Sequence, residues 1–85
     1  MASDKKTFES VTRGSGTVSF RDFERLLVGL GFRLDRVSGS HHIYIHVIIG
    51  RPFPIQPDGK DAKRYQIRQL RGIIRQYRLT LGSNE

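Results

Sequence analysis

Four consecutive residues, Gly39-Ser40-His41-His42, are the part of this chain best suited to chemistry. Histidine is the side chain whose ordinary pKa lies near neutrality, so it can accept or donate a proton without a large shift. Glycine and serine are typical turn residues, and a strongly alternating pattern of apolar and polar residues begins at His41. The pattern predicts a histidine held at the start of a β-strand, beside a flexible glycine and a small hydroxyl. That arrangement indicates proton-transfer chemistry.

The elements that must position these residues follow the order helix, three strands, helix. Ser19 is predicted to cap the first helix, and Gly31 to be the left-handed residue at its end. Strands are predicted at residues 32–37, from His41 onward and at residues 53–56, and a second helix begins between Asp61 and Gln66. We therefore predict an α+β fold, α-β-β-β-α, with two helices packed on one face of a three-stranded antiparallel sheet.

The chain has 85 residues, enough for one small domain. Residues 1–18 are rich in Ser, Thr, Gly and Lys and are predicted to form a poorly ordered tail. The domain is expected at residues 19–81, followed by a short tail at residues 82–85. The lack of cysteine excludes disulfides and thiolate chemistry, and it fits an expected cytoplasmic location. No apolar run approaches the roughly 18 residues of a membrane span, so no membrane partner is expected.

The second predicted helix carries a row of arginines of one charge sign. The chain has a formal net charge of +7, which favours a polyanionic partner. At about 100° per residue, the five positions fall within an arc of about 80°, away from the apolar face of the same helix. Because guanidinium groups pair with phosphates in bidentate fashion, the row indicates nucleic-acid backbone binding. This arginine row consists of Arg64, Arg68, Arg71, Arg75 and Arg78.

The three histidines are not expected to form a metal site. His42 and His46 would share a strand face but lie about 13 Å apart along the strand, and His41 would point to the opposite face. His42 and His46 are interpreted as exposed strand residues. For His41 the spacing alone leaves two interpretations open, a histidine packed at the rim of the core and a functional one.

Two segments resemble the HicA toxins. The first is Gly31-Phe32 after a short helix, followed by Arg36-Val37-Ser38-Gly39-Ser40-His41-His42-Ile43-Tyr44 and a proline-bearing third strand. The second runs from Tyr65 to Ile74 and is similar to the final helix of that family. Together the likeness covers residues 20–81. In many members the third strand ends in proline-arginine-histidine, whereas this chain has Ile55-Gln56-Pro57-Asp58 there.

The resemblance implies a fold like a double-stranded RNA-binding domain and a toxin that cleaves messenger RNA. It also implies inhibition by a HicB antitoxin that covers the active site. The catalytic histidine of the family matches His41, and its neighbouring glycine matches Gly39, while no catalytic role passes to His42. The prediction is then a metal-independent endoribonuclease that needs no cofactor, with His41 as base and Gly39 and Ser40 in supporting positions. The RNA-binding residues would be Arg64, Arg68, Arg71 and Arg75.

Two other functions remain open from the residues themselves. A non-catalytic RNA-binding module could use a basic helix on the same fold without any histidine. Alternatively, the arginine row could dock an acidic protein, and RNA would then be irrelevant. The response of RNA cleavage and RNA binding to substitution of His41 and of the row separates the three functions.

Overall fold

A computed structural model describes residues 3–14 and 16–81, and it contains three helices and two small antiparallel sheets. The predicted tail at residues 82–85 lies outside the described residues. The larger sheet has three strands in the order β1-β2-β3. The elements are α1 Asp4–Arg13, α2 Phe20–Gly29, β1 Arg33–Ser38, β2 His41–Ile45, β3 Phe53–Ile55, β4 Pro57–Asp58, β5 Asp61–Ala62 and α3 Arg64–Tyr77. The predicted α+β fold and the order of its five main elements are confirmed.

Both residues predicted to end α2, Ser19 and Gly31, are confirmed. Ser19 has extended backbone, and its hydroxyl accepts a hydrogen bond from the Asp22 N–H at 3.1 Å. Gly31 has φ +103°, the left-handed region expected for the residue that ends the helix. The second helix of the prediction is α3, and it begins at Arg64, within the expected interval.

The predicted N-terminal tail is wrong over residues 4–13, which form α1. Ser3 caps this helix by accepting from the Lys6 N–H, and Gly14 ends it in the left-handed conformation. Val11 and Thr7 are buried, and α1 packs against α2 and α3. Thr7 can be buried because its hydroxyl bonds the Ser3 carbonyl at 3.1 Å. A prediction from composition counts threonine and serine as polar, so it misses a helix whose threonine faces the core.

The core lies between the helices and one face of the three-stranded sheet. On that face Tyr44, Phe53 and Ile55 are buried. Tyr44 pairs with Phe53 across the two strands, so their side chains lie side by side. The core is completed by residues from the helices and their connections, among them Phe23, Leu26, Leu27, Leu30, Phe32, Leu70 and Ile74. The opposite face of the sheet carries exposed or half-buried side chains, and we call it the open face. Its members by register are Arg33, Arg36, Ser38, His41, Ile43, Ile45 and Pro54.

The β4–β5 hairpin ties the α1–α2 connection to the start of α3. The Ala62 N–H donates to the Val18 carbonyl at 2.8 Å, and the Phe20 N–H donates to the Lys60 carbonyl at 2.8 Å. Burial of Val18 and Ala62 between these bonds fixes α2 relative to α3. The two helices that cover the sheet are thus joined outside the sheet as well as through the core.

Candidate functional site

A two-residue turn presents His41 at the first position of β2. Ser38 pairs with His41 across the hairpin, so Gly39 and Ser40 form the whole connection. Gly39 has φ +61°, and Ser40 does not have positive φ, the pattern of a turn with glycine in its first central position. Nothing lies within 4 Å of the point where a Gly39 Cβ would be. The turn requires this glycine, and the space around it is open to a ligand.

His41 lies on the open face and is exposed to solvent. Ser38 is directly opposite on β1, and Arg36, which pairs with Ile43, lies two positions along the same face. Within the described residues, the imidazole of His41 makes no hydrogen bond, not even to the neighbouring Ser40. His41 is therefore neither packed in the core nor bound to backbone. Its ring is open to contact with a bound molecule.

His41 also borders a cleft of about 550 Å³ between β3 and α3. We use "the cleft" for this groove, which follows the outer edge of β3. One wall is a side of α3 that carries no charge, formed by Tyr65, Gln69, Gly72 and Gln76. The residues of the sheet and its loops that line it are Phe32, His41, Ile49, Arg51, Pro52, Phe53 and Pro54.

Gln66 closes the edge of β3 that would otherwise be open beside the cleft. Its amide donates to the Pro54 carbonyl at 3.1 Å and accepts from the Gln56 N–H at 3.2 Å. Gln66 is buried, and both amide atoms have partners. Because Pro52 and Pro54 have no N–H, this edge offers almost no free backbone groups to another strand. The cleft is therefore suited to side-chain or base contacts, not to strand addition.

The structure separates His41 from the arginine row. At about 100° per residue, the cleft-lining side of α3 is centred more than about 90° from the row. Arg64, Arg68 and Arg75 are exposed, and no arginine of α3 pairs with a carboxylate of the described residues. The row therefore presents uncompensated positive charge on a different side of the helix from the cleft.

Arg71 differs from the rest of the row. It is half-buried, and its guanidinium lies so close to Gly14 that any side chain at Gly14 would collide with it. Gly14 ends α1, where the last carbonyls of the helix carry partial negative charge. Arg71 thus contributes to the packing of α1 against α3, a contact that the helical spacing of the row did not reveal.

Apart from His41, the residues of the cleft escaped the sequence prediction, among them Arg51, Tyr65 and Gln69. Arg51 comes just before the short edge strand β3, where a cation lies at the rim of a groove along that edge. Tyr65 and Gln69 occur in the same helix as the row, at positions one residue after Arg64 and Arg68. A wheel of the predicted helix would have shown a third, uncharged face between the apolar and basic faces.

His42 is half-buried, which corrects the expectation that it is an exposed strand residue. Its Nδ1 lies 2.8 Å from Glu24 Oε2, and the Tyr44 hydroxyl donates to the same oxygen at 2.8 Å. The ring also packs edge-on against Phe20 at 5.0 Å. Because a carboxylate only accepts, Nδ1 must carry a proton. Glu24 of α2 thus holds the side of β2 opposite His41.

His46 is also misplaced by the prediction, since only 7% of it is exposed. Its Nε2 donates to the Leu30 carbonyl at 3.1 Å, and its Nδ1 accepts from the Ile48 N–H at 3.1 Å. The alternating pattern was right about which residues share a face, but it did not show that the helices cover the histidine face. Because the other face carries isoleucines, the sequence pattern favoured burial of the isoleucine face.

Burial raises the pKa of the Tyr44 hydroxyl, and its hydrogen bond to Glu24 and the charge of that carboxylate raise it further. We expect the raised pKa to make folding stability fall at alkaline pH. The stability that comes from a raised pKa is complete at pH values below the pKa of the group in the unfolded chain, which is about 10 for tyrosine. Above that pH it is lost, by up to about 1.4 kcal/mol per pH unit.

Replacing Tyr44 with phenylalanine should lower the free energy of unfolding by about 1 kcal/mol near neutral pH, through the lost hydrogen bond. The deficit should shrink above pH ~10, because only the wild-type protein has this group to deprotonate. Urea denaturation of both proteins between pH 7 and 11 measures the difference, and other titrating groups cancel. A deficit that stays constant over this range would contradict the assignment.

Among the described residues, no three His, Cys, Asp or Glu side chains are grouped so as to hold a metal ion. Within the same residues, no helix is both long enough and apolar enough to cross a membrane.

Comparison with known proteins identifies a family. The family model described as the HicA toxin of bacterial toxin–antitoxin matches residues 20–79, the segment from α2 to just beyond α3. No curated protein and no solved structure matches the chain. The matched segment contains His41 and all the cleft residues, whereas α1 precedes it.

Proposed function

Since the chain belongs to the HicA toxins of bacterial toxin–antitoxin systems, we propose that it is a metal-independent endoribonuclease acting on messenger RNA. The observation that supports this proposal best is the placement of His41. Its imidazole is exposed on the open face, unbonded within the described residues, and borders a cleft that can hold part of a substrate. In this proposal residues 19–81 form the functional domain, and the protein works in the cytoplasm, where messenger RNA is found.

As a member of this family the protein is a toxin, and it has an antitoxin as partner. We propose that the antitoxin is of the HicB type and covers the open face around His41. The exposed side chains there, including Arg33 and Arg36, suit an acidic partner surface. An antitoxin bound in that place would cover the base and keep the RNA away from it.

The proposed reaction uses the 2′-hydroxyl of the RNA as nucleophile. Neutral His41 takes the 2′-hydroxyl proton while the 2′-oxygen bonds to the adjacent phosphorus and the P–O5′ bond breaks. The products are a 2′,3′-cyclic phosphate and a 5′-hydroxyl, which receives its proton from the imidazolium or from water. Within the described residues no second histidine or carboxylate accompanies His41 at the cleft, so the expected catalyst is slow.

Cations have two separate roles in this proposal. Arg64, Arg68 and Arg75 bind the RNA backbone along the exposed side of α3, and Arg71 adds to the same field from its half-buried position. Charge on the pentacoordinate phosphorus is stabilised by an arginine nearer to His41, for which we assign Arg36 because it shares the open face with His41. The Arg36 guanidinium lies 2.8 Å from the carboxylate of the neighbouring Asp35, and this exposed pair would have to open for Arg36 to act. Gly39 leaves open space for the RNA beside the turn, and Ser40 is available to bond a phosphate oxygen.

A non-catalytic RNA-binding module is the second candidate. The separation of the arginine row from the cleft favours it, because backbone binding on α3 would not need His41 at all. RNA binding that survives His41→Ala, with no cleavage by either protein, would identify this module. Weak RNA binding that does not respond to Arg68→Ala would indicate an acidic protein as partner of the row.

The decisive experiment is cleavage of a long unstructured RNA in the presence of EDTA. We expect cleavage to continue in EDTA and the new 3′ ends to carry a cyclic phosphate. Such ends resist ligation until the cyclic phosphate has been hydrolysed and the resulting monophosphate removed, whereas 3′-hydroxyl ends ligate directly. Free 3′-hydroxyl products, or loss of cleavage that returns on adding a divalent metal, would exclude the proposed chemistry.

A further inference from the structure

We propose that the cleft between β3 and α3 binds unpaired bases of single-stranded RNA and sets the base preference of cleavage. The inference rests on the proposed function and extends it, because it assigns a base-reading site to residues other than His41 and the arginine row. The occupant is a nucleotide next to the scissile bond, since His41 borders the cleft.

The shape of the cleft fits a short stretch of single strand. Tyr65 and Gln76 line its wall and are about 16 Å apart along α3, at a rise of ~1.5 Å per residue. The β3 edge runs along the other side, with His41 near the β2–β3 pairing at Ile55 and Arg51 before the start of β3. The cleft thus connects a proton-transfer group at one end with a cation at the other.

The chemistry of the cleft fits bases better than phosphates. Gln69 and Gln76 are exposed side chains that offer both donors and acceptors, as the edges of unpaired bases require. Tyr65 is 48% exposed and provides a flat ring for stacking. Arg51 is the one charged side chain among the lining residues other than His41. A duplex would hide its base edges, so the occupant must be unpaired.

Gly72 gives an independent indication that something approaches the helix here. Glycine is the poorest helix former after proline, yet Gly72 lies in the interior of α3 with ordinary helical backbone. Nothing lies within 4 Å of the position where its Cβ would be, so no packing in the protein requires a glycine. Because Gly72 lines the cleft, the missing side chain serves to keep the groove open for a ligand.

The test compares Gly72→Gln with Val28→Gln, which places the same side chain at an exposed position of α2 outside the cleft. Glutamine is a good helix former, so each variant should be at least as stable as the wild type in thermal unfolding. Only at position 72 does the glutamine side chain reach into the cleft. We expect Gly72→Gln to reduce cleavage of unstructured RNA by about 10-fold or more, the size of a lost base-stacking contact. Val28→Gln should stay within about 2-fold of the wild type.

The readouts separate failure of this inference from failure of the proposed function. If the wild type does not cleave RNA, the same variants are compared by binding of fluorescent A, C and U hexanucleotides and of a duplex. Weaker hexanucleotide binding by Gly72→Gln alone, with duplex binding unchanged, supports the cleft. Equal cleavage and equal hexanucleotide binding by a folded Gly72→Gln overturn it, and the cleft is then a surface for a protein.

Base reading is tested by sequencing the cleavage ends of a random RNA pool. We expect Gln69→Ala and Gln76→Ala to change the base frequencies beside the cut, and Tyr65→Ala to reduce cleavage more than Tyr65→Phe. Arg51→Gln should weaken cleavage more than Arg21→Gln, which removes the same charge from an exposed position on α2. Base frequencies that stay unchanged in both glutamine variants overturn the base-reading role.

Discussion

Replacing His41 with alanine should lower RNA cleavage by about 10²- to 10⁴-fold, the usual contribution of a general base. Stability should hardly change, within about 0.5 kcal/mol, because exposed side chains away from special contacts contribute little to folding. The prediction follows from the position of His41, which is exposed and without a hydrogen bond in the described residues. Activity and stability should therefore respond independently at this residue.

His42 offers a matched control in the adjacent position. His42→Ala removes the hydrogen bond to Glu24 and the edge-on contact with Phe20, so it should lower the free energy of unfolding by about 1–3 kcal/mol. Cleavage per folded molecule should fall far less than in His41→Ala. Both variants are measured by single-turnover cleavage and urea denaturation. Equal activity of His41→Ala and wild type would remove His41 from the mechanism, and the cleft would need another base.

The secondary structure was largely predictable because its signals are local. Ser19 and Gly31 mark the ends of α2 through cap chemistry that depends only on neighbouring backbone. The turn at Gly39-Ser40 likewise follows from the freedom of glycine at positive φ. The position of His41 on one sheet face follows from strand alternation. These properties need no knowledge of what packs against the element.

The side of the sheet that is buried was not predictable from alternation, because it depends on partners far along the chain. Glu24, 18 residues before His42, makes burial of that histidine favourable by supplying a carboxylate acceptor. The same applies to α1, whose few apolar residues matter only once α2 and α3 provide a surface. Similarly, the cleft exists because Gln66 holds α3 beside β3, a contact between residues 12 positions apart. A residue's type gives its chemistry, but tertiary packing decides where that chemistry is used.

Replacing His46 with alanine should be among the most destabilising single substitutions in this protein. The change leaves the Leu30 carbonyl and the Ile48 N–H without their partner and opens a cavity beside Phe32, whose ring contacts the imidazole edge-on at 4.9 Å. Lost packing and unpaired polar groups together should cost about 2–4 kcal/mol. For a domain of this size the melting temperature should fall by roughly 10 °C or more.

Two further variants separate the causes of that loss. His46→Phe restores much of the volume but neither hydrogen bond, so it should remain destabilised by about 1–3 kcal/mol. Val47→Ala, at an adjacent position that is 91% exposed, should change stability by less than about 0.5 kcal/mol. Thermal and urea unfolding of the three variants give the comparison. If His46→Ala were as mild as Val47→Ala, His46 would be an exposed strand residue after all. A large loss of stability would instead establish that His46 fixes the end of α2 against the loop after β2. The two already lie in close contact, because a Cβ at Gly31 would be only 2.9 Å from the Nε2 of His46.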